Sequence, residues 1–133
     1  MNSTPVDYDD LYYTDAHIFV LGNEPFTGIA ESRYPNGDLR FRAPFKNGGQ
    51  HGITEEFFPS GGKRNLTPYA NGAPHGHVVE WYEDGTIKTE SDVEFGILIR
   101  RLDYDTSGNL VDEYNRPDDD PMMDIIKSRR QSE

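Results

Sequence analysis

The chain has 133 residues and a formal charge of −11, from 24 acids against 13 bases. At that length one small domain is expected. The acidity speaks against binding a nucleic-acid backbone or an anionic membrane, since both draw on clustered cations, and the absence of cysteine excludes disulfides, thiolate metal sites and thiol chemistry.

Residues 1–27 carry five acids and no base. A secretory signal needs a basic start and an apolar core, so none is read here and a cytoplasmic protein is expected. No apolar run approaches the ~20 residues that cross a bilayer. Within this segment Asn23-Glu24-Pro25-Phe26-Thr27 is a degenerate copy of the loop that recurs at Asn47 and Asn71, and the whole is read as an N-terminal cap.

From residue 28 the chain repeats itself. Residues 28–51 and 52–75 agree at 10 of 24 positions without a gap. Gly28, Gly52 and Gly76 keep that step, as do Gly37, Gly61 and Gly85, and Gly48, Gly72 and Gly96. Tyr34, Phe58 and Tyr82 share an aromatic slot, and Phe45, Tyr69 and Val93 an apolar one. Each unit reads as a hairpin: a strand from Gly28 to Tyr34, a Pro-Asn-Gly turn, and a second strand from Leu39 to Phe45. In that second strand Leu39, Phe41, Ala43 and Phe45 alternate with Asp38, Arg40, Arg42 and Pro44, which predicts one covered and one wet face. Arg40, Arg64 and Lys88 keep one outward slot basic. In the first strands aromatics fall on both sides, at Phe57-Phe58 and Trp81-Tyr82, as a sheet one layer thick would allow.

After the three repeats of residues 28–96, residues 97–115 read as a further degenerate hairpin, with Ile97 to Tyr104 and Leu110 to Tyr114 joined around Gly108. Residues 116–133 hold an acidic linker, Asp118 to Asp120, and a short helix. Asp120 is its expected N-cap, Pro121 its first turn, and Met122, Ile125 and Ile126 its inward face. No connection suits a crossover helix, so the fold class is all-β: one domain, an elongated antiparallel β-meander of 24-residue hairpins closed by a short C-terminal helix.

Strand, aromatic-x-x-Gly turn, strand, then Asn-Gly-x-x-His-Gly: the unit resembles the MORN repeat, and more closely its bacterial variant. The motif stands intact in Tyr34-Pro35-Asn36-Gly37, Phe58-Pro59-Ser60-Gly61 and Tyr82-Glu83-Asp84-Gly85, and in Asn47-Gly48 to His51-Gly52 and Asn71-Gly72 to His75-Gly76. Glu24 stands where a glycine belongs, and the His-Gly pair is lost after Gly96. The resemblance implies an elongated β-meander. Small stand-alone members in bacteria are often immunity proteins or antitoxins, so it also implies a toxin-neutralising partner protein. A scaffold or lipid-proximal MORN protein without a toxin is the alternative.

No reaction centre is legible. The serines lie outside any Gly-x-Ser-x-Gly elbow, Glu55 and Glu56 point to opposite faces, and the glycines form no phosphate cradle. His51 and His75 occupy one repeat slot, which favours a structural role over metal binding at His75-Gly76-His77. No catalytic residue, metal site or cofactor is therefore expected. Charge is the informative feature: residues 76–133 hold fifteen acids and seven bases, while residues 28–75 are net positive. Glu90, Asp92 and Glu94 share one strand face, and Glu80 and Glu83 flank Trp81 and Tyr82. These seven residues are the expected contact surface for a basic, nucleic-acid-attacking toxin, the strip mimicking phosphate and the rings anchoring. The partner is then a protein, with neither nucleic acid nor membrane involved. The chain is expected to act as a monomer or a weak edge-paired dimer.

Overall fold

The computed structural model describes residues 4–132. The chain opens with β1 (Val6–Asp7), a single helical turn at Tyr8–Asp10, and three short strands, β2 (Tyr12–Tyr13), β3 (Phe19–Leu21) and β4 (Glu24–Pro25), which form a small sheet of their own. The repeats come next as β5 (Gly28–Arg33), β6 (Leu39–Lys46), β7 (Gly49–Gln50), β8 (Gly52–Phe57), β9 (Lys63–Ala70), β10 (Ala73–Pro74), β11 (Gly76–Trp81) and β12 (Ile87–Glu94). The chain ends with β13 (Ile97–Tyr104), β14 (Leu110–Asn115) and the helix α1 (Pro121–Gln131).

The main sheet runs β1-β5-β6-β8-β9-β11-β12-β13-β14, with β7 beside β6 and β10 beside β9. From β5 onward the successive long strands pair antiparallel, the expected meander. One parallel pair stands outside the meander, in the cap: β1 lies beside β5, with Val6 opposite Ala30 and Asp7 opposite Glu31. A parallel pair needs a connection of about a dozen residues or more, and the cap, passing through its own small sheet between β1 and β5, supplies one.

Two kinds of turn repeat along the sheet. At one side the N–H groups of Gly37, Gly61 and Gly85 donate to the carbonyls of Tyr34, Phe58 and Tyr82 at 2.8–3.0 Å. At the other, Asn47-Gly48, Asn71-Gly72 and Phe95-Gly96 all have positive φ at both positions, which matches the right-handed twist of the flanking strands. Each of these turns is tied to the preceding repeat. The N–H groups of Gly48, Gly72 and Gly96 donate to the carbonyls of Phe26, Gln50 and Pro74 at 2.8–2.9 Å. The N–H of Asn47 donates to Thr27 Oγ1 at 2.8 Å, that of Asn71 to His51 Nδ1 at 3.3 Å, and that of Phe95 to His75 Nδ1 at 3.0 Å. His51 and His75 thus hold equivalent places in the ladder.

The core sits at the two ends. Phe26, Ala30, Ala43 and Phe45 are buried under Val6, Tyr8, Leu11, Phe19 and Phe41 of the cap and first repeat. Ile97, Met123 and Ile126 form a second cluster with Phe95 and Ile99. Between them, residues 46–96 contribute no fully buried hydrophobic side chain, so the middle is a sheet one layer thick. That is why so little apolar sequence suffices: backbone ladders and turn-to-turn bonds carry the middle, and burial closes the ends.

Asp120 caps α1, its carboxylate accepting the Met122 N–H at 2.8 Å. The inward stripe is not the expected one. Met123 and Ile126 are buried at 7% and 0% exposure, while Met122 and Ile125 stay out at 37% and 40%. Ile126 belongs to both stripes, and the docking partner chooses between them. Arg130, four residues on and so on the same side, binds Glu94 through Nε at 2.7 Å and Nη2 at 2.5 Å. Phe95 stands where the other two turns have asparagine. Its backbone is held at φ 53°, rare for a bulky residue, and its ring packs against the Ile97 cluster and edge-on to His75 at 4.7 Å.

Candidate functional site

One cross-strand pair sets the third repeat apart in chemical character. Ile29 lies opposite Pro44, and Ile53 opposite Pro68. In the equivalent place His77 lies opposite Asp92. An apolar pair has become an ionisable one. Comparing the three copies slot by slot is the signal that could have found it, whereas the repeat logic attends to what the copies share.

Residues directly opposite each other share a face, so His77 and Val79 of β11 look out with Asp92 and Glu90 of β12. Glu80, opposite Thr89, looks out from the other side. The seven predicted contact residues are therefore divided. Glu90, Asp92 and Glu94 lie on one face and Glu80 on the other, with Glu83 exposed in the connecting turn. Trp81 and Tyr82 are half-buried. The Tyr82 hydroxyl donates to the Tyr104 carbonyl at 2.8 Å, as Tyr34 does to Phe57 at 2.6 Å, so this aromatic slot is a strut between strands. Lys88 and Arg64 lie over the rings of Tyr82 and Phe58, at 5.9 and 5.5 Å from their centres. With Trp81 they border an open hollow of about 460 Å³.

The acidic strip is largely engaged. His77 Nδ1 stands 2.8 Å from Asp92 Oδ1 and Nε2 stands 3.0 Å from Glu90 Oε1. Carboxylate oxygens at both ring nitrogens call for the doubly protonated imidazolium. The bond to Asp92, then that to Glu90, holds the His77 pKa above its ordinary value, against a smaller opposing effect of desolvation. Tyr104 donates its hydroxyl to the remaining Glu90 oxygen at 3.0 Å, which in turn pushes the phenol's pKa up. Glu94 is held below the usual carboxylate range by its Arg130 bonds. The face is thus less negative than three carboxylates in a row imply, and it is more rigid.

Sequence reasoning missed two exposed surfaces. Tyr12 and Tyr13 of the cap are 67% and 52% exposed, and Leu110 and Val111 of β14 are 51% and 62% exposed. Both lie in poor copies of the repeat, where the slot logic assigns no face; long apolar side chains in a solvent-facing edge were the only available signal. Among the described residues no cluster of three or more His, Asp or Glu is arranged to hold a metal. No described helix is long and apolar enough to cross a membrane.

The family model described as MORN repeat variant matches residues 26–47 and 74–93. Across 133 aligned residues the chain is 49% identical to a Bacillus subtilis (strain 168) protein named Immunity protein YwqK, covering 96% of this chain and 86% of that one. The chain belongs to the MORN-repeat-variant immunity protein family. No solved structure matches it. In this family member the two matched segments are the β5–β6 hairpin and the β11–β12 hairpin with its entry. The second of these carries His77, Glu90 and Asp92.

Proposed function

We propose that the protein is an immunity protein, which binds a cognate toxin in the cytoplasm and neutralises it by covering its working surface, with no turnover of its own. The observation that carries this reading is the 49% identity, over 96% of the chain, to a protein named Immunity protein YwqK. The fold suits the task. A single-layer sheet with bolted turns offers a broad surface that needs little ordering on contact, which limits the entropic cost of binding. The third repeat is the contact region, with Glu90 and Asp92 on one face of its hairpin and Glu80 and Glu83 beside Trp81 and Tyr82 at the hollow. A cationic toxin groove is the complementary surface, and acidic steering raises association rates to as much as ~10⁸–10⁹ M⁻¹s⁻¹ at low salt.

The test expresses the adjoining reading frames one at a time, with and without this chain. One that arrests growth alone and is tolerated in its company is the expected result. No such frame, or turnover of a small substrate by the purified protein, overturns the reading. Glu94 holds the helix through Arg130, so the charge test uses its neighbours. Replacing Glu90 and Asp92 by Lys is expected to weaken toxin binding several-fold, more so at low salt. Unchanged affinity moves the contact off this face.

A further inference from the structure

We infer that the outer edge of β14 is a docking rail for an extended, lysine- or arginine-bearing segment of the partner protein; this rests on the toxin-binding reading and adds a second contact to it. The main sheet has two edges. One is closed by the two-residue β1 and the cap. The other is β14, six residues long, with β13 on one side and no strand on its other side among the described residues.

The backbone there is open for pairing. The Glu113 N–H donates to the Asp112 carboxylate at 2.9 Å, so it points out of the β13–β14 ladder. Antiparallel alternation turns the amide of Asn115 the same way, whereas Val111 is the extra residue of a bulge opposite Asp103 and Tyr104. Val111, at 62% exposed, is the most exposed aliphatic side chain of the main sheet. Natural edges are commonly guarded by Pro, Lys, a bulge or a covering segment. Leu110–Asn115 has neither Pro nor Lys, and its one bulge, at Val111, leaves Asp112 to Asn115 in regular register.

What guards the regular stretch Asp112 to Asn115 is negative charge, and that charge selects the occupant. Two copies pairing antiparallel about the strand's own centre would set Asp112 against Glu113, like charges directly opposite, which is destabilising. Asp112 already faces Asp103 across the ladder. The edge is therefore closed to a second copy and suited to a strand that brings cations. A Lys or Arg laid opposite Asp112 relieves the repulsion from Asp103 and draws the carboxylate off the Glu113 N–H. That amide is then free to pair with the incoming backbone, while an apolar side chain of the segment covers Val111.

The probe is a short peptide alternating Lys and Val, added to the full-length, isotope-labelled protein. Shifts and slowed exchange at the amides of Glu113 and Asn115 are expected, and none with the Glu-for-Lys peptide. Asn115→Pro removes an outward amide that the ladder does not use. It is expected to weaken both peptide and toxin binding about tenfold, the loss of one or two main-chain hydrogen bonds. Asp112→Lys leaves the backbone free and is expected to abolish the Lys-peptide shifts, whatever the proline does to folding. Three outcomes overturn the inference: no change at those amides, equal binding of both peptides, or concentration-dependent protection of them without peptide, which would make a second copy the occupant. If Asn115→Pro neutralises a toxin as the parent does, the rail falls and the immunity reading stands. If the Lys peptide protects the edge but no toxin is neutralised, the rail stands alone.

Discussion

Gly52 and Gly61 separate two costs that sequence alone lumps together. Gly52 opens β8 at φ +113°, and a Cβ built there would stand 2.9 Å from Pro44 Cγ and 3.5 Å from its Cβ. Gly61 sits at φ +98° in a turn, with no atom within 4 Å of the same construction. Alanine at either position meets the backbone cost, about 1–3 kcal/mol for a side chain held in that region. Only Gly52→Ala adds a collision with a stiff ring on the neighbouring strand, comparable to overpacking at about 1–3 kcal/mol. Gly61→Ala is therefore expected to cost about 1–3 kcal/mol and Gly52→Ala about 2–6 kcal/mol. Pro44→Ala removes the ring, so the double variant Gly52→Ala/Pro44→Ala should recover the collision part, a coupling that a double-mutant cycle isolates. The assay is urea denaturation followed by far-UV circular dichroism, which reports the whole sheet. Fluorescence of Trp81, the chain's one tryptophan, reports the third repeat separately, since a repeat array need not melt as one unit. Equal costs for the two glycines within about 0.5 kcal/mol, or no recovery in the double variant, would refute the contact argument.

Two other predictions concern the C-terminal half. Ile126→Ala empties the one large side chain with no exposed surface among the described residues, at about 2–5 kcal/mol and toward the low end because the cluster around it is small. Amide exchange across α1 should accelerate, and unchanged exchange would mean that the helix is held by its Arg130–Glu94 bonds alone. His77 titrates with a raised pKa in the folded state, so its pairing contributes fully below its unfolded value of about 6.5 and is lost as pH rises through the folded value. The ring is half exposed, which limits the effect to about 0.2–1 kcal/mol. The stability difference between the parent and His77→Asn should shrink as pH rises through neutrality; a difference that grows with pH contradicts the pairing.

The fold was largely legible because its contacts are largely local. Each long strand of the meander from β5 to β14 pairs with the long strands next to it along the chain, so the turn residues that set each hairpin also set the sheet. Gly37, Gly61 and Gly85 mark one row of turns and Asn47-Gly48 and Asn71-Gly72 the other, and a fixed 24-residue step says that the rows are straight. Even the structural place of His51 and His75 follows from their shared slot. Phe95 is the exception that required coordinates. A phenylalanine in a turn position reads as a damaged copy, whereas its ring is the contact on which α1 closes.

What the amino-acid order determined, then, is the ribbon: its period, its two rows of turns, its single layer and the acidity of its C-terminal half. The tertiary structure decided which charges are engaged and which surfaces stay open. Glu94 meets Arg130 only because α1 folds back across 36 residues, and that same landing chose Met123 over Met122 as the buried methionine. His77 joins Glu90 and Asp92 across a hairpin, which strand alternation permits but composition does not announce. The parallel β1 and the uncovered β14 are likewise properties of the ends, where no neighbouring repeat dictates the partner. Within an array each hairpin's environment is supplied by its copies, so local sequence suffices; at the ends the environment is supplied by distant chain, and only the folded packing determines it.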